Sequence, residues 1–242
     1  MISMGLCVLL ATAPPAPVTL KAGQAEPGVE VSLVLTGITV PARAEAGLFL
    51  FGKLSASSHS LRALLLRSTD GGARWTEVLP EVEHSEVLDV HFTGCQGRAL
   101  VGWITEGPGE LRLFATTDCG ATWKQRSKLP KRVWSEWLEQ VAWTDAQRGT
   151  VWLTDTAAEE NAPPHALGTR DGGRTWSDVE QAPPPPAPGP GLEALGPPGV
   201  RWKVLQEEGA SRLERHEGTT RQVRASFPTS WRREGKRLVP TR

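Results

Sequence analysis

The chain of 242 residues contains no tyrosine, only two methionines and three cysteines, and no charge of one dominant sign. Without tyrosine, every chemistry in which a phenol acts as nucleophile is excluded. Lys plus Arg and Asp plus Glu both number 27, so there is no global field to gather an anionic polymer. The 11 basic and 5 acidic residues of 201–242 are balanced by 16 and 22 in 1–200. That basic tail lacks the concentrated run and base-stacking pattern of a nucleic-acid binder, so no nucleic-acid partner is expected. No apolar run is long enough to cross a bilayer. The sequence lacks HExxH and GxSxG motifs, a phosphate-binding loop and any Cys/His spacing suited to zinc. The five histidines (His59, His84, His91, His165, His216) are scattered. No cofactor and no metal are expected.

What the chain does have is a phrase written three times. Ser68, Asp70, Gly72 and Trp75 form the first copy, Thr116, Asp118, Gly120 and Trp123 the second, Thr169, Asp171, Gly173 and Trp176 the third. A decayed fourth copy follows at 216–221, keeping Gly218 and Thr220 without Asp or Trp. Asp ahead of glycine reads as a tight turn: its carboxylate accepts from N–H groups inside the turn, and Gly supplies positive φ. The Trp starts the outgoing strand and gives it a large apolar body to pack beneath the turn. A second landmark repeats in step, a glycine before an apolar strand at Gly47, Gly97, Gly149 and Gly199. Each unit then reads strand, Gly turn, strand, loop, strand, Asp turn, strand. Repetition of four short strands every ~40–50 residues is the pattern of a propeller blade.

The expected fold is therefore all-β: a small β-propeller of about four four-stranded antiparallel blades, the last degenerate. Residues 18–242 read as one domain with units at about 29–81, 82–130, 138–181 and 191–225. Residues 182–191 are a proline-rich connector. Residues 226–242 form a basic tail or closing strand, and 236–239 is the candidate partner for a strand at 18–21. A chain of only four blades is expected as a monomer, or as a homodimer that hides its open edges.

The repeated phrase resembles that of bacterial-neuraminidase-repeat, or Asp-box, propellers, and the combined spacing is most similar to the photosystem II assembly factor family and its bacterial relatives. The resemblance covers roughly 30–225, with two departures: Arg74 stands where Thr is usual, and the fourth copy is almost erased. It implies a non-enzymatic scaffold that binds a protein partner in the assembly or stability of an envelope or membrane complex. The alternative is a carbohydrate-binding propeller or remnant glycoside hydrolase. Sialidases share the Asp box, but their nucleophile is a tyrosine and their Phe/Tyr-Arg-Ile-Pro segment is absent here. A sialidase is excluded.

The remaining expectations are local. Residues 1–17 begin with an apolar stretch ending in small residues, like a secretory signal without its basic start, and point to export. Cys95 and Cys119 fall in turns at the same end of one unit; a disulfide there suits an oxidising compartment, and two free thiols are the other reading. Glu81, Glu83, Glu86 and Asp89 read as a solvated acidic connection. Lys131, Arg132, Trp134 and Trp137 read as a helical turn that offers a partner surface, or caps a gap between blades.

Overall fold

A computed structural model describes residues 18–57, 59–103, 110–130, 136–155, 157, 164–187 and 191–241. Strands alternate with tight turns because buried residues recur at every second position. In Glu30–Thr39 (β2), Val31, Leu33 and Leu35 are buried while Ser32 and Val34 are only partly so. That period of two is what a pleated strand imposes.

Four meanders of four strands result. Blade 1 runs β2, β3 (Leu48–Ala56), β4 (His59–Ser68) and β5 (Thr76–Glu77). Blade 2 is β6 (Ser85–Thr93), β7 (Gln96–Trp103), β8 (Leu111–Thr116) and β9 (Lys124–Leu129). Blade 3 is β10 (Glu136–Trp143), β11 (Gly149–Asp155), β12 (His165–Thr169) and β13 (Ser177–Asp178). Blade 4 is β14 (Glu193–Leu195), β15 (Val200–Glu207), β16 (Ala210–Glu217) and β17 (Thr220–Pro228). The molecule is a small propeller of four antiparallel blades. β3 and β4 meet in a tight turn at Ser57, at φ 52°.

The terminal strands extend blade 1 rather than blade 4. β1 (Leu20–Lys21) pairs with β19 (Arg237–Pro240), which pairs with β18 (Ser230–Glu234), and β18 adds to β2 through Trp231 opposite Val31. The resulting seven-stranded sheet turns back on itself. Val18 bridges Trp75 beside β5, and Arg62 joins Glu77 at 2.9 Å while donating to the Lys21 carbonyl at 2.7 Å. Both members of that ion pair are almost wholly buried.

Three apolar clusters join the blades. Leu50, Leu64, Trp75, Trp202, Leu213, Phe227, Trp231 and Leu238 bind blade 1 to blade 4 and to the terminal strands. Phe49, Leu65, Val90, Phe114 and Trp123 bind blade 1 to blade 2. Leu100, Leu113, Val151, Leu153 and Leu167 bind blade 2 to blade 3. The order of packing is thus 4, 1, 2, 3, and no such cluster joins blade 3 to blade 4 among the described residues. There the proline-rich segment lies on blade 3 instead: Trp152 Nε1 donates to the Pro183 carbonyl at 3.0 Å, and Gln140 to that of Ala187 at 3.3 Å.

Two sequence expectations are corrected. Trp137 is not on a helical turn but in β10, paired with Thr154, because the strand begins two residues earlier than its apolar pattern suggests. Lys131, Arg132 and Trp134 lie outside the described residues, as does the signal-like segment 1–17. Nor is 81–89 uniformly a solvated connection. Glu86 and Asp89 belong to β6; Glu86 pairs with Lys53 at 3.0 Å, and Asp89 is half-buried opposite Leu100.

Candidate functional site

The three Asp-box phrases sit at one end of the propeller, each joining the third and fourth strands of its blade. In the first, Gly72 N–H donates to Ser68 Oγ at 2.9 Å, and Ser68 Oγ donates to Asp70 Oδ1 at 2.9 Å. The N–H groups of Ala73 and Arg74 complete the turn on the same carboxylate oxygen, at 3.0 and 2.9 Å. The second and third corners repeat this around Asp118 and Asp171 and add a hydroxyl, Thr122 Oγ1 at 2.6 Å and Thr175 Oγ1 at 2.7 Å. Arg74 occupies that place in the first corner, so Asp70 lacks the extra donor.

All three carboxyls lie below the usual carboxylate range. For Asp70, burial acts upward but the Arg74 N–H, the Ser68 hydroxyl and the Ala73 N–H outweigh it. For Asp118 the Thr116 and Thr122 hydroxyls are the chief cause, and for Asp171 the Thr175 N–H and hydroxyl. Every one of these anions is spent on its own turn. The corners therefore hold structure and offer no free base.

Each corner also docks on the blade before it in packing order. Arg224 of blade 4 donates to the Gly71 carbonyl at 2.9 Å. Gly120 presses so closely on Phe49 of blade 1 that no side chain fits. The third corner is seated on blade 2 by Ser127 Oγ to the Gly173 carbonyl at 2.6 Å, by Arg98 to Gly172 and Ala146, and by Arg126 to Asp171. Trp75 and Trp123 donate their indole N–H within their own corner, whereas Trp176 reaches across to Ser127 Oγ at 3.2 Å. Arg98 stacks over Trp143 at 4.2 Å.

Cys119 occupies the left-handed position, φ 55°, that Gly71 and Gly172 hold in the other corners. It is disulfide-bonded to Cys95 in the β6–β7 turn, and its N–H donates to the Cys95 carbonyl at 3.1 Å. The cross-link thus falls where a side chain is least at ease.

The same end carries a recess of ≈ 550 Å³ between blades 1 and 4. Val40, Pro41, Pro197, Trp202 and Leu195 wall it, with Arg215 at its edge. Leu195 is 74% exposed, the one large apolar side chain so displayed among the described residues. Nothing in its short strand, preceded by glycine and proline residues, distinguishes it in the sequence from a buried position.

Asp89 is half-buried, and it is the desolvated carboxyl that motif reading missed. Burial alone lifts it to about 7, because no hydrogen-bond donor reaches it to offset the loss of water. On the same face of β6, burial and then the Arg98 charge lower the His91 imidazole. Among the described residues no three His, Cys, Asp or Glu side chains gather as a metal ion would require, and no helix is long and apolar enough to cross a membrane.

No protein-family model matches the chain, and no curated protein does. Solved structures do. The structure of YCF48 bound to a D1 peptide is 18% identical, with a TM-score of 0.40, over 89% of this chain and 59% of that one. The α-L-arabinofuranosidase Arb93A of Fusarium graminearum is 13% identical, TM-score 0.41, over 86% and 70%. The GH32 β-fructofuranosidase of Bombyx mori is 11% identical, TM-score 0.36, over 78% and 43%. The chain spans about three fifths of the length of the first of these. Likeness this distant leaves the fold resting on the strand order, and it is silent on ligand and chemistry.

Proposed function

We propose that the protein is a non-enzymatic scaffold that holds a protein partner at the corner-bearing end of its propeller. One observation carries this reading: a ready-made apolar recess whose wall includes Leu195 at 74% exposure. A side chain of that size in water forgoes roughly 2 kcal/mol that burial would supply, and displayed apolar surface of this kind marks interaction sites. Arg215 lines the recess, and the exposed Arg43 and Arg201 adjoin the lining residues Ala42 and Val200. The matching partner is an aliphatic side chain flanked by carboxylates on an extended segment. The corners supply rigidity, fixing the recess before the partner arrives, so little ordering cost is added on binding.

The finer reading follows the resemblance to assembly factors: the partner is a subunit of an envelope or membrane complex, held while that complex forms. The Cys95–Cys119 bridge suits an oxidising compartment, in keeping with export.

The test is capture from an envelope extract, identification of the retained chain, and titration of that chain by calorimetry. Leu195→Asp should weaken binding at least tenfold, about 1.4 kcal/mol, with an unchanged melting temperature. Equal affinity of the two proteins would remove the recess from the mechanism. A glycan-array signal lost in the same variant would instead favour the carbohydrate-binding alternative.

A further inference from the structure

Each of the first three corners enters a seat on a neighbouring blade, which among the described residues leaves one seat and one corner over. The unused corner is the fourth, the two-residue turn between Glu217 and Thr220. A Cβ added at its Gly218 would meet nothing within 4 Å, in contrast to Gly72, Gly120 and Gly173, which all abut a neighbouring blade. The unused seat is on blade 3. Blade 2 seats the third corner with Arg98 of its second strand, Leu113 of its third, and Arg126 and Ser127 of its fourth.

The pairing register identifies the same places in blade 3. Gly97 lies opposite Thr116 and Gly149 opposite Thr169, so Thr150 stands where Arg98 does and Ala166 where Leu113 does. Both are smaller residues; Ala166 is covered, and beside Thr150 a cavity of ≈ 790 Å³ opens, lined by Thr150, Gly168, Ser177, Arg148 and Arg170 and, among the described residues, by none of blade 4. On the same face the proline-rich segment lies over Trp152, whose indole N–H donates to the Pro183 carbonyl.

We propose that seat and corner meet between two copies of this chain, the fourth corner of each entering blade 3 of the other. This goes beyond the partner-holding reading and does not depend on it. The two contacts are related by a two-fold axis, so the assembly closes as a dimer rather than growing as a fibre. The closed pair has eight blades, within the usual range of ~4–8. Charge favours the match. Glu217 at the corner is 57% exposed, and Arg148 in the seat is 71% exposed, each with only a surface partner in its own chain. On the same side of blade 4, Arg201 is exposed, while Lys203 is paired with Glu193 and Arg221 with Glu214, so the charge match rests on Glu217 and Arg148.

The experiment is light scattering on the full chain across roughly 1–100 µM, with variants at the two sites. The wild type should pass from 26.2 kDa to twice that mass. Thr150→Trp, which fills the seat, should remain monomeric. Glu217→Lys and Arg148→Glu should each weaken association at least tenfold, and an equimolar mixture of those two variants should restore it, since both contacts are then between opposite charges. Should Thr150→Trp fail to fold, the two exposed charge variants decide alone. A wild type that stays at 26.2 kDa throughout overturns the proposal, and so does a dimer that ignores all three substitutions or a mixture that stays monomeric. Recess binding measured on Leu195→Asp is unaffected by any of these outcomes.

Discussion

At the scale of single residues, the acidic side chains divide by what surrounds them. Asp70, Asp118 and Asp171 are held ionised by donors of their own turns, so what they add to stability is present above the ordinary carboxylate range and is lost as pH falls below it. Asp89 has the opposite sign. Its pKa rises from the ordinary value to about 7 on folding, so the native state is favoured most below pH ~4, and that advantage declines as pH climbs towards 7. Asp89→Asn should therefore raise stability at pH 8 by roughly 2–4 kcal/mol and change it little at pH 3, below the ordinary carboxylate range. Urea denaturation at the two pH values checks this; an equal effect at both would mean that Asp89 is ionised throughout. The carboxyl escaped motif reading because its neighbours in sequence, Glu81, Glu83 and Glu86, suggest a wet acidic stretch. Only the packing around β6, which withdraws the carboxyl from water, distinguishes it.

At the scale of the element, the corner is the unit that matters. Its hydroxyl, Asp, Gly and Trp were readable because each satisfies a local demand: a hydrogen bond inside the turn, a positive φ, a cover for the strand below. Cys119 breaks that rule at φ 55°, and the cross-link to Cys95 holds it there. With the bridge removed, glycine should serve better than any other residue. Cys95→Ser/Cys119→Gly should exceed Cys95→Ser/Cys119→Ala in stability by about 1 kcal/mol, measured by thermal unfolding. Equality would show that the second corner relaxes once uncoupled. The docking of corners on neighbouring blades was not readable in the same way. Arg224 reaches Gly71 across 153 positions and Arg98 reaches Gly172 across 74, and no periodicity announces such a pair.

At the scale of the whole molecule, the terminal strands decide whether the propeller holds. β1, β18 and β19 close over the face of blade 1, placing Leu20, Trp231 and Leu238 in the cluster shared with blade 4. Truncation after Pro228 should expose that cluster and leave a chain without a cooperative unfolding transition. Near-ultraviolet circular dichroism is the check, since the buried Trp75, Trp202 and Trp231 would lose their fixed surroundings; a retained native signal would show blade 1 to be self-sufficient. The period of two along strands, the glycine landmarks and the Asp phrases determined the class of fold, the number of blades and the place of every corner, since each rests on chemistry within a few residues. The pairing of 18–21 with 236–239 was also readable, since ring propellers often close by pairing strands from their two termini. Which blade those strands join, which seam lacks an apolar cluster among the described residues, where Leu195 meets water and how far Asp89 is withdrawn from it were decided by tertiary structure alone. Those properties depend on which face of a sheet meets which neighbour, and alternation along one strand cannot specify what lies across from it.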